Sequence, residues 1–140
     1  MANWKYFGIA HKQLYRLSGG RLGKRMGWID VALLETTGRK SGKKRTTPLA
    51  CYPWKDSIAV SASNDGQEHH PAWYLNLQAN PEVAVQLGKD RFSAIAEDVT
   101  GDEKEALWKI VTDINKHQTR YRATTERDIP LVWFRRLDGE

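Results

Sequence analysis

Ile29-Asp30-Val31-Ala32-Leu33-Leu34-Glu35-Thr36-Thr37-Gly38-Arg39-Lys40-Ser41-Gly42-Lys43-Lys44-Arg45-Thr46-Thr47-Pro48 is an apolar run that passes directly into a basic one broken by glycines and hydroxyls. The stretch has part of a P-loop's vocabulary but not its grammar. Three residues, not four, separate Gly38 from Gly42, and Lys43 is followed by Lys44 rather than Ser or Thr. On the C-terminal side of the loop, Thr46 to Tyr52 reads as extended chain, so the helix that a P-loop requires is missing. Residues 29–35 and 48–53 are therefore expected as two strands joined by a basic loop. Glycines let such a loop turn with positive φ and approach a ligand closely. Arg and Lys supply forked and point-like donors for phosphate or carboxylate, and consecutive turn amides form an anion nest. The alternative is a solvated basic hairpin that attracts polyanions non-specifically.

The charge balance places this loop on one side of a lopsided chain. Of 140 residues carrying a net charge of +5, residues 1–50 hold eleven Lys/Arg against two acids, a balance of +9. The remainder holds eleven against fifteen, a balance of −4. An anionic partner is steered to the N-terminal side. The length suits one domain, 1–140, with a core that needs no staples. The lone Cys51 excludes an intramolecular disulfide and, lying among apolar neighbours, reads as a buried structural thiol in a reducing, cytoplasmic setting. No apolar run reaches the length of a membrane span or a signal-peptide core.

Ahead of the basic loop, residues 3–17 place Trp4, Phe7, Leu14 and Leu17 near helical spacing with Lys5, Lys12 and Arg16 off that stripe. Such a basic amphipathic helix packs its stripe on the domain or lies on an anionic membrane surface. Ser18-Gly19-Gly20 stops the helix, and residues 21–28 are a basic, glycine-punctuated connector.

Beyond the loop, residues 57–63 form a third strand of small and β-branched residues, broken by Asn64-Asp65-Gly66. Pro71 suits the first turn of a short helix ended by Asn80-Pro81. Residues 82–87 alternate Val83, Val85 and Leu87, and residues 91–99 alternate Phe92, Ala94 and Ala96, which predicts a hairpin about Gly88-Lys89-Asp90. Thr100 and Glu103 have capping-box spacing, ahead of a long helix with Ala106, Leu107, Ile110, Val111 and Ile114 on one face. Residues 129–137 close the chain as a strand with Pro130 at its beginning or on an edge. Six strands and three helices (N-terminal, short central and long in the C-terminal half) predict an α+β fold around a small, mostly antiparallel barrel.

The short helix is unusual. In Pro71-Ala72-Trp73-Tyr74-Leu75-Asn76-Leu77-Gln78-Ala79-Asn80-Pro81, Trp73 and Leu77 share a face and Asn76 sits beside Trp73. An aromatic plane next to an amide can pack a flat ring and hydrogen-bond what it carries. Ordinary core packing, with Asn76 capping a neighbouring backbone group, is the plainer reading.

Taken together, T-T-G-R-K-S-G-x-x-R from Thr36, S-A-S-N from Ser61 and P-x-W-Y-x-N-L-x-A-N-P from Pro71 resemble the deazaflavin (F420)-dependent nitroreductase family, over about residues 29–135. The resemblance implies a split β-barrel of the FMN-binding type that uses coenzyme F420, a deazaflavin with a phosphate and a polyglutamate tail. It matches Arg39, Lys40 and Arg45, with Ser41 and Gly42, to the loop for the phosphate and acidic tail, and Lys43 and Lys44 to further glutamates. It matches Ser61, Ala62, Ser63 and Asn64 to the strand end along the ring, and Trp73, Tyr74, Leu75 and Asn76 to the helix that completes the pocket. The implied reaction is hydride transfer from the reduced deazaflavin to an activated alkene, quinone or nitroaromatic small molecule. Ser63 and Tyr121 are the candidates for orienting that acceptor. Past the long helix, Asn115, Gln118 and a lone Tyr121 stand where the best-known members carry several tyrosines, so the acceptor wall differs.

Glu68-His69-His70 has the residue types of a metal site, but adjacent histidines seldom face one ion and no third ligand recurs at a motif spacing; no metal is expected. His11 and His117 are expected on helices among lysines. Glu97, Asp98, Asp102, Glu103 and Glu105 are expected as structural acids at a helix start. Two rivals draw on the same residues. An FMN enzyme of the same fold needs one phosphate site, which five cations exceed. A nucleic-acid module would stack bases on Trp4, Tyr6, Tyr15 and Trp28; no specific nucleic-acid partner is expected. A homodimer and a peripheral membrane contact through residues 3–17 are compatible with these features.

Overall fold

The computed structural model describes residues 25, 26 and 29–137, so the helix expected over residues 3–17 lies outside the described residues. Within them the order is β1 (Arg25–Met26), β2 (Ile29–Thr37), β3 (Lys44–Ala50), β4 (Tyr52–Trp54), β5 (Ser57–Ser61), a 3-10 turn (Asn64–Gly66), α1 (Ala72–Ala79), β6 (Glu82–Leu87), β7 (Asp90–Asp98), α2 (Gly101–Ile114), α3 (Lys116–Thr124) and β8 (Leu131–Arg136).

All the pairings are antiparallel. Seven strands run in the order β3-β2-β6-β7-β8-β5-β4, and β1 adds two residues beside the start of β2. The two edge strands, β3 and β4, are separated in the chain by Cys51 alone. Successive Cα atoms lie about 3.8 Å apart, so the sheet must curl until its edges meet. The chain itself, rather than a hydrogen-bonded ladder, crosses the last seam. Pro48 and Pro53 lie on these two edges, the positions where a residue without an amide donor is tolerated. This is an α+β split barrel, as expected.

The single strand expected over residues 48–53 is two strands. Ala50 pairs with Val31 and Tyr52 with Ala59, so the chain changes partners at Cys51. A periodicity argument sees only extended chain there, because a change of partner leaves the alternation unaltered. The β6–β7 hairpin has the expected inward residues: Val83, Val85, Phe92 and Ala94 are buried, and its turn places Gly88 at φ 64°.

Both faces of β5 and β8 are covered. Ile58, Val60, Val132 and Phe134 point into the barrel with Leu34, Trp73, Tyr74 and Leu77. Ala59 and Leu131 point outward under α2, where Leu107, Trp108 and Val111 cover them. Each fully buried side chain of this size contributes on the order of 1.5–3 kcal/mol. The buried face of α2 is centred on Trp108, not on Ala106 and Ile114, which are exposed. The Arg122 guanidinium closes over the Trp108 ring at 4.7 Å.

Two helix starts differ from expectation. Thr100 makes no side-chain cap, and Glu103 pairs with Lys55 at 3.1 Å instead of completing a capping box. Pro71 is the N-cap of α1 rather than its first helical residue. The segment carrying Tyr121, past the three helices expected, is itself the helix α3. Its signal was Asn115, whose Oδ1 accepts from the His117 amide as an N-cap while its amide nitrogen donates to the Tyr52 hydroxyl.

Candidate functional site

The β2–β3 ladder runs as far as Thr37 and Lys44, which reduces the basic loop to residues 38–43. Inside it the Gly38 amide donates to the Lys43 carbonyl (2.8 Å) and the Gly42 amide to the Gly38 carbonyl (2.9 Å). Ser41 Oγ accepts from the Lys43 amide at 3.1 Å. A Cβ on Gly38 would lie 2.7 Å from Ser41 Oγ, and Gly42 has φ +73°, so each glycine has a steric reason. The Gly42 amide and the Ser41 hydroxyl both help to close the turn.

The cations stand outward. Arg39, Lys40, Lys43, Lys44 and Arg45 are all exposed. Lys44 donates to Thr37 Oγ1 at 3.0 Å, and none of the five is ion-paired among the described residues. Elsewhere the surface cations Lys55, Lys104, Arg122, Arg135 and Arg136 each meet a carboxylate. A concentration of positive charge left without counter-charges attracts an anion.

The loop is joined to the tryptophan helix through one atom. Asn76 Oδ1 accepts from the Arg39 backbone amide at 3.1 Å and from Arg39 Nη1 at 3.0 Å. Two donors from one side turn the Asn76 oxygen toward the loop and its NH2 donors away from it. Asn76 does cap a backbone group, and by doing so it brings the two sequence motifs together.

The remaining residues of α1 are held as core. Trp73 and Tyr74 are 8% and 7% exposed and meet edge to face at 6.3 Å. The Tyr74 hydroxyl donates to both Asp98 oxygens, at 2.9 and 3.2 Å. Burial first, and then this carboxylate, push the Tyr74 pKa well up, so the phenol stays protonated. Asp98 therefore belongs to the end of β7 and to Tyr74, not to a helix start, and Glu97 accepts from Arg135. Leu75 is half-buried against the same core.

The strand-end quartet is divided. Ala62 and Ser63 are buried, while Ser61 and Asn64 are half-exposed. Ser61 Oγ donates to Gln118 Oε1 at 2.9 Å, so Gln118 is an internal tie between β5 and α3. Asn64 (φ 49°) and Asp65 (φ 56°) are successive left-handed residues without being glycine, and Gly66 comes next at φ 79°. Two such residues store strain of order 1 kcal/mol or more each and persist only where surroundings over-determine them. Helix α3 supplies part of that support: a Cβ on Gly66 would lie 3.3 Å from Tyr121 Cα and 2.8 Å from Thr124 Oγ1. Tyr121 itself is half-buried and stacks on His117 at 6.3 Å. Burial, and secondly the facing Asp65 carboxylate, raise its pKa.

Sequence reasoning passed over Arg127 and gave His70 no role beyond the metal site it set aside. Arg127 donates to the carbonyls of Ser63 (2.6 Å) and Gln67 (2.8 Å) and to His70 Nδ1 (3.0 Å). The His70 ring lies 5.0 Å from that of Tyr74. Neither residue has a motif around it; only the fold brings the segment before β8 against residues 63–70. A cleft of about 290 Å³ lies apart from these residues, on the outer side of the β2–β6–β7 sheet, with Glu35, Thr46, Gln86 and Arg91 in its walls.

The fold and the exposed cationic hairpin fixed to an aromatic helix define the class: a split-barrel protein with a concentration of positive charge suited to an anionic ligand. The sequence matches the F420H(2)-dependent quinone reductase family over residues 9–135, and the chain belongs to that family. It is 38% identical over 126 residues to an F420H(2)-dependent quinone reductase of Mycobacterium tuberculosis, covering 87% of this chain and 85% of that one. The solved structure of an F420-H2 dependent reductase (FDR-A) is 37% identical, with a TM-score of 0.69 over 74% of this chain and 92% of its own. A structure described as a domain-swapped dimer is 33% identical, with a TM-score of 0.72 over 90% of this chain and 96% of its own. The family uses reduced coenzyme F420 as hydride donor, and the chain is an oxidoreductase of that kind. The uncompensated cations of the hairpin suit the phosphate and glutamates of that cofactor. Among the described residues no helix is long and apolar enough to cross a membrane.

Proposed function

We propose that this protein reduces a quinone at the expense of reduced F420, with activated alkenes and nitroaromatics as chemically related acceptors. One observation carries the reading: the exposed cations of residues 39–45, which meet no carboxylate among the described residues, are docked by Arg39 on Asn76 of the tryptophan helix. Arg39, Lys40, Lys43, Lys44 and Arg45 hold the phosphate and acidic tail, through charge-assisted bonds that FMN would leave mostly unused. The Ser61–Asn64 strand end and the Trp73–Asn76 helix frame the ring, with Asn76 offering its outward NH2 donors. When bound, the cofactor supplies the hydride.

This chain's residues then exclude water and orient the acceptor. Tyr121, whose pKa burial and then Asp65 raise, is the candidate to orient the acceptor or hold a proton for it. Ser63 is 5% exposed, so its part is to shape the turn, through its carbonyl bonds to Gly66 and Arg127. The domain-swapped relative supports a homodimer for this chain, and the buried thiol of Cys51 fits the cytoplasm. A peripheral membrane contact, by contrast, would rest entirely on residues 3–17.

The test is a titration of the purified protein with F420 and, separately, FMN, monitored by quenching of its six tryptophans. Saturable quenching by F420 alone, with F420H2-dependent reduction of menadione, is expected. A preference for FMN overturns the cofactor assignment. Response to neither, with oligonucleotide binding that falls steeply with salt, returns the loop to a non-specific role.

A further inference from the structure

We propose that Arg127 is a positioning residue for hydride transfer, clamping the strained turn of residues 63–66 in the orientation the pocket needs; this rests on the function just proposed. The guanidinium has three nitrogens, and each has a partner in one short segment. Nη2 donates to the Ser63 carbonyl, Nε to the Gln67 carbonyl and Nη1 to His70 Nδ1. Three of its five N–H donors are thus spent inside the protein, which sets Arg127 apart from the exposed cations of residues 39–45 although all are basic.

The segment it grips cannot hold its shape alone. Asn64 and Asp65 are left-handed, and inside the turn the Gly66 amide bonds to the Ser63 carbonyl and the Gln67 amide to the Asn64 carbonyl. The Ser63 oxygen thus has both lone pairs occupied, one by the turn and one by Arg127. Arg can only donate, so His70 accepts at Nδ1 and carries its proton on Nε2. The His70 ring rests on Tyr74, and Tyr74 is tied to Asp98. The clamp therefore links the strand end along the ring to the tryptophan helix. It also bears on the acceptor side, because Gly66 lies directly under Tyr121.

A lysine has one point of donation and cannot span three acceptors arranged around a planar fork. The experiment compares wild type, Arg127→Lys and Arg127→Ala. Three quantities are read: hydrogen exchange of residues 61–70 in the cofactor-free protein, Kd for F420 by tryptophan quenching, and kcat with F420H2 and menadione. For Arg127→Lys, exchange should quicken about tenfold or more, Kd should stay within a few-fold because the tail site is intact, and kcat should fall about ten- to a hundredfold, the scale of a small misplacement. Guanidinium added to Arg127→Ala should restore part of that kcat. If Arg127→Ala does not fold, Arg127→Lys decides. Unchanged exchange, or faster exchange with kcat undiminished, overturns the proposal while leaving the function standing. A wild type that neither binds F420 nor reduces menadione overturns the function and the proposal with it.

Discussion

Arg39 gives two hydrogen bonds to a single atom, Asn76 Oδ1, one from its backbone amide and one from Nη1, across 37 residues of sequence. Through that oxygen, the cationic hairpin is oriented by helix α1. The two residues should therefore act as a unit on cofactor affinity. Arg39→Ala is expected to weaken F420 binding by roughly 1.5–3 kcal/mol, the range for a charge-assisted bond. Asn76→Ala should weaken it by about 1 kcal/mol through loss of loop order. The double variant should fall short of their sum by at least about 0.5 kcal/mol. Additive losses in a quenching titration would show that Arg39 and Asn76 reach the cofactor independently.

Trp73 serves the fold before it serves a ligand, since it is 8% exposed within the barrel core. Trp73→Ala should cost roughly 3–5 kcal/mol in denaturant unfolding, the usual cost of emptying a buried aromatic site. Trp73→Phe should cost less and leave a protein in which affinity can be measured. An unchanged unfolding midpoint for Trp73→Ala would contradict the packing.

Gly66 combines φ +79° with close packing under α3. Gly66→Ala is expected to destabilise by about 1–3 kcal/mol, because Tyr121 Cα is backbone and cannot swing away. Thermal unfolding is the check, and a variant as stable as wild type would mean that α3 moves freely from the turn.

His70 is expected to make stability depend on pH. Burial first, and then the Arg127 guanidinium, lower its pKa below the ordinary 6.5, against the opposing charge of Asp98 from the end of β7. The Tyr74 ring of α1 is its other neighbour. The folded protein then binds fewer protons than the unfolded chain just below pH 6.5. The contribution is complete above that value and declines as pH falls toward the lowered one. Melting temperatures of wild type and His70→Gln, compared between about pH 7.5 and 5.5, should converge on acidification. Parallel curves would show that His70 titrates alike in both states.

Local patterns determined much of this protein. Alternation gave the β6–β7 hairpin to within a residue, because a strand with one buried face must repeat every two positions. The three motifs around Gly38, Ser61 and Trp73 were legible as residue types, and so were the loop's charge and the α+β barrel. Tertiary structure alone decided the rest. The change of partner at Cys51 leaves no trace in periodicity, yet it brings the two edges of the sheet together. The helix α3 has a polar surface, and only its Asn115 cap marked it. Arg127, His70 and Asp98 stand in no motif, because hydrogen bonds across 24 to 64 residues depend on where strands end in space. Sequence specifies the groups that can bind; the fold specifies which of them are already bound to each other.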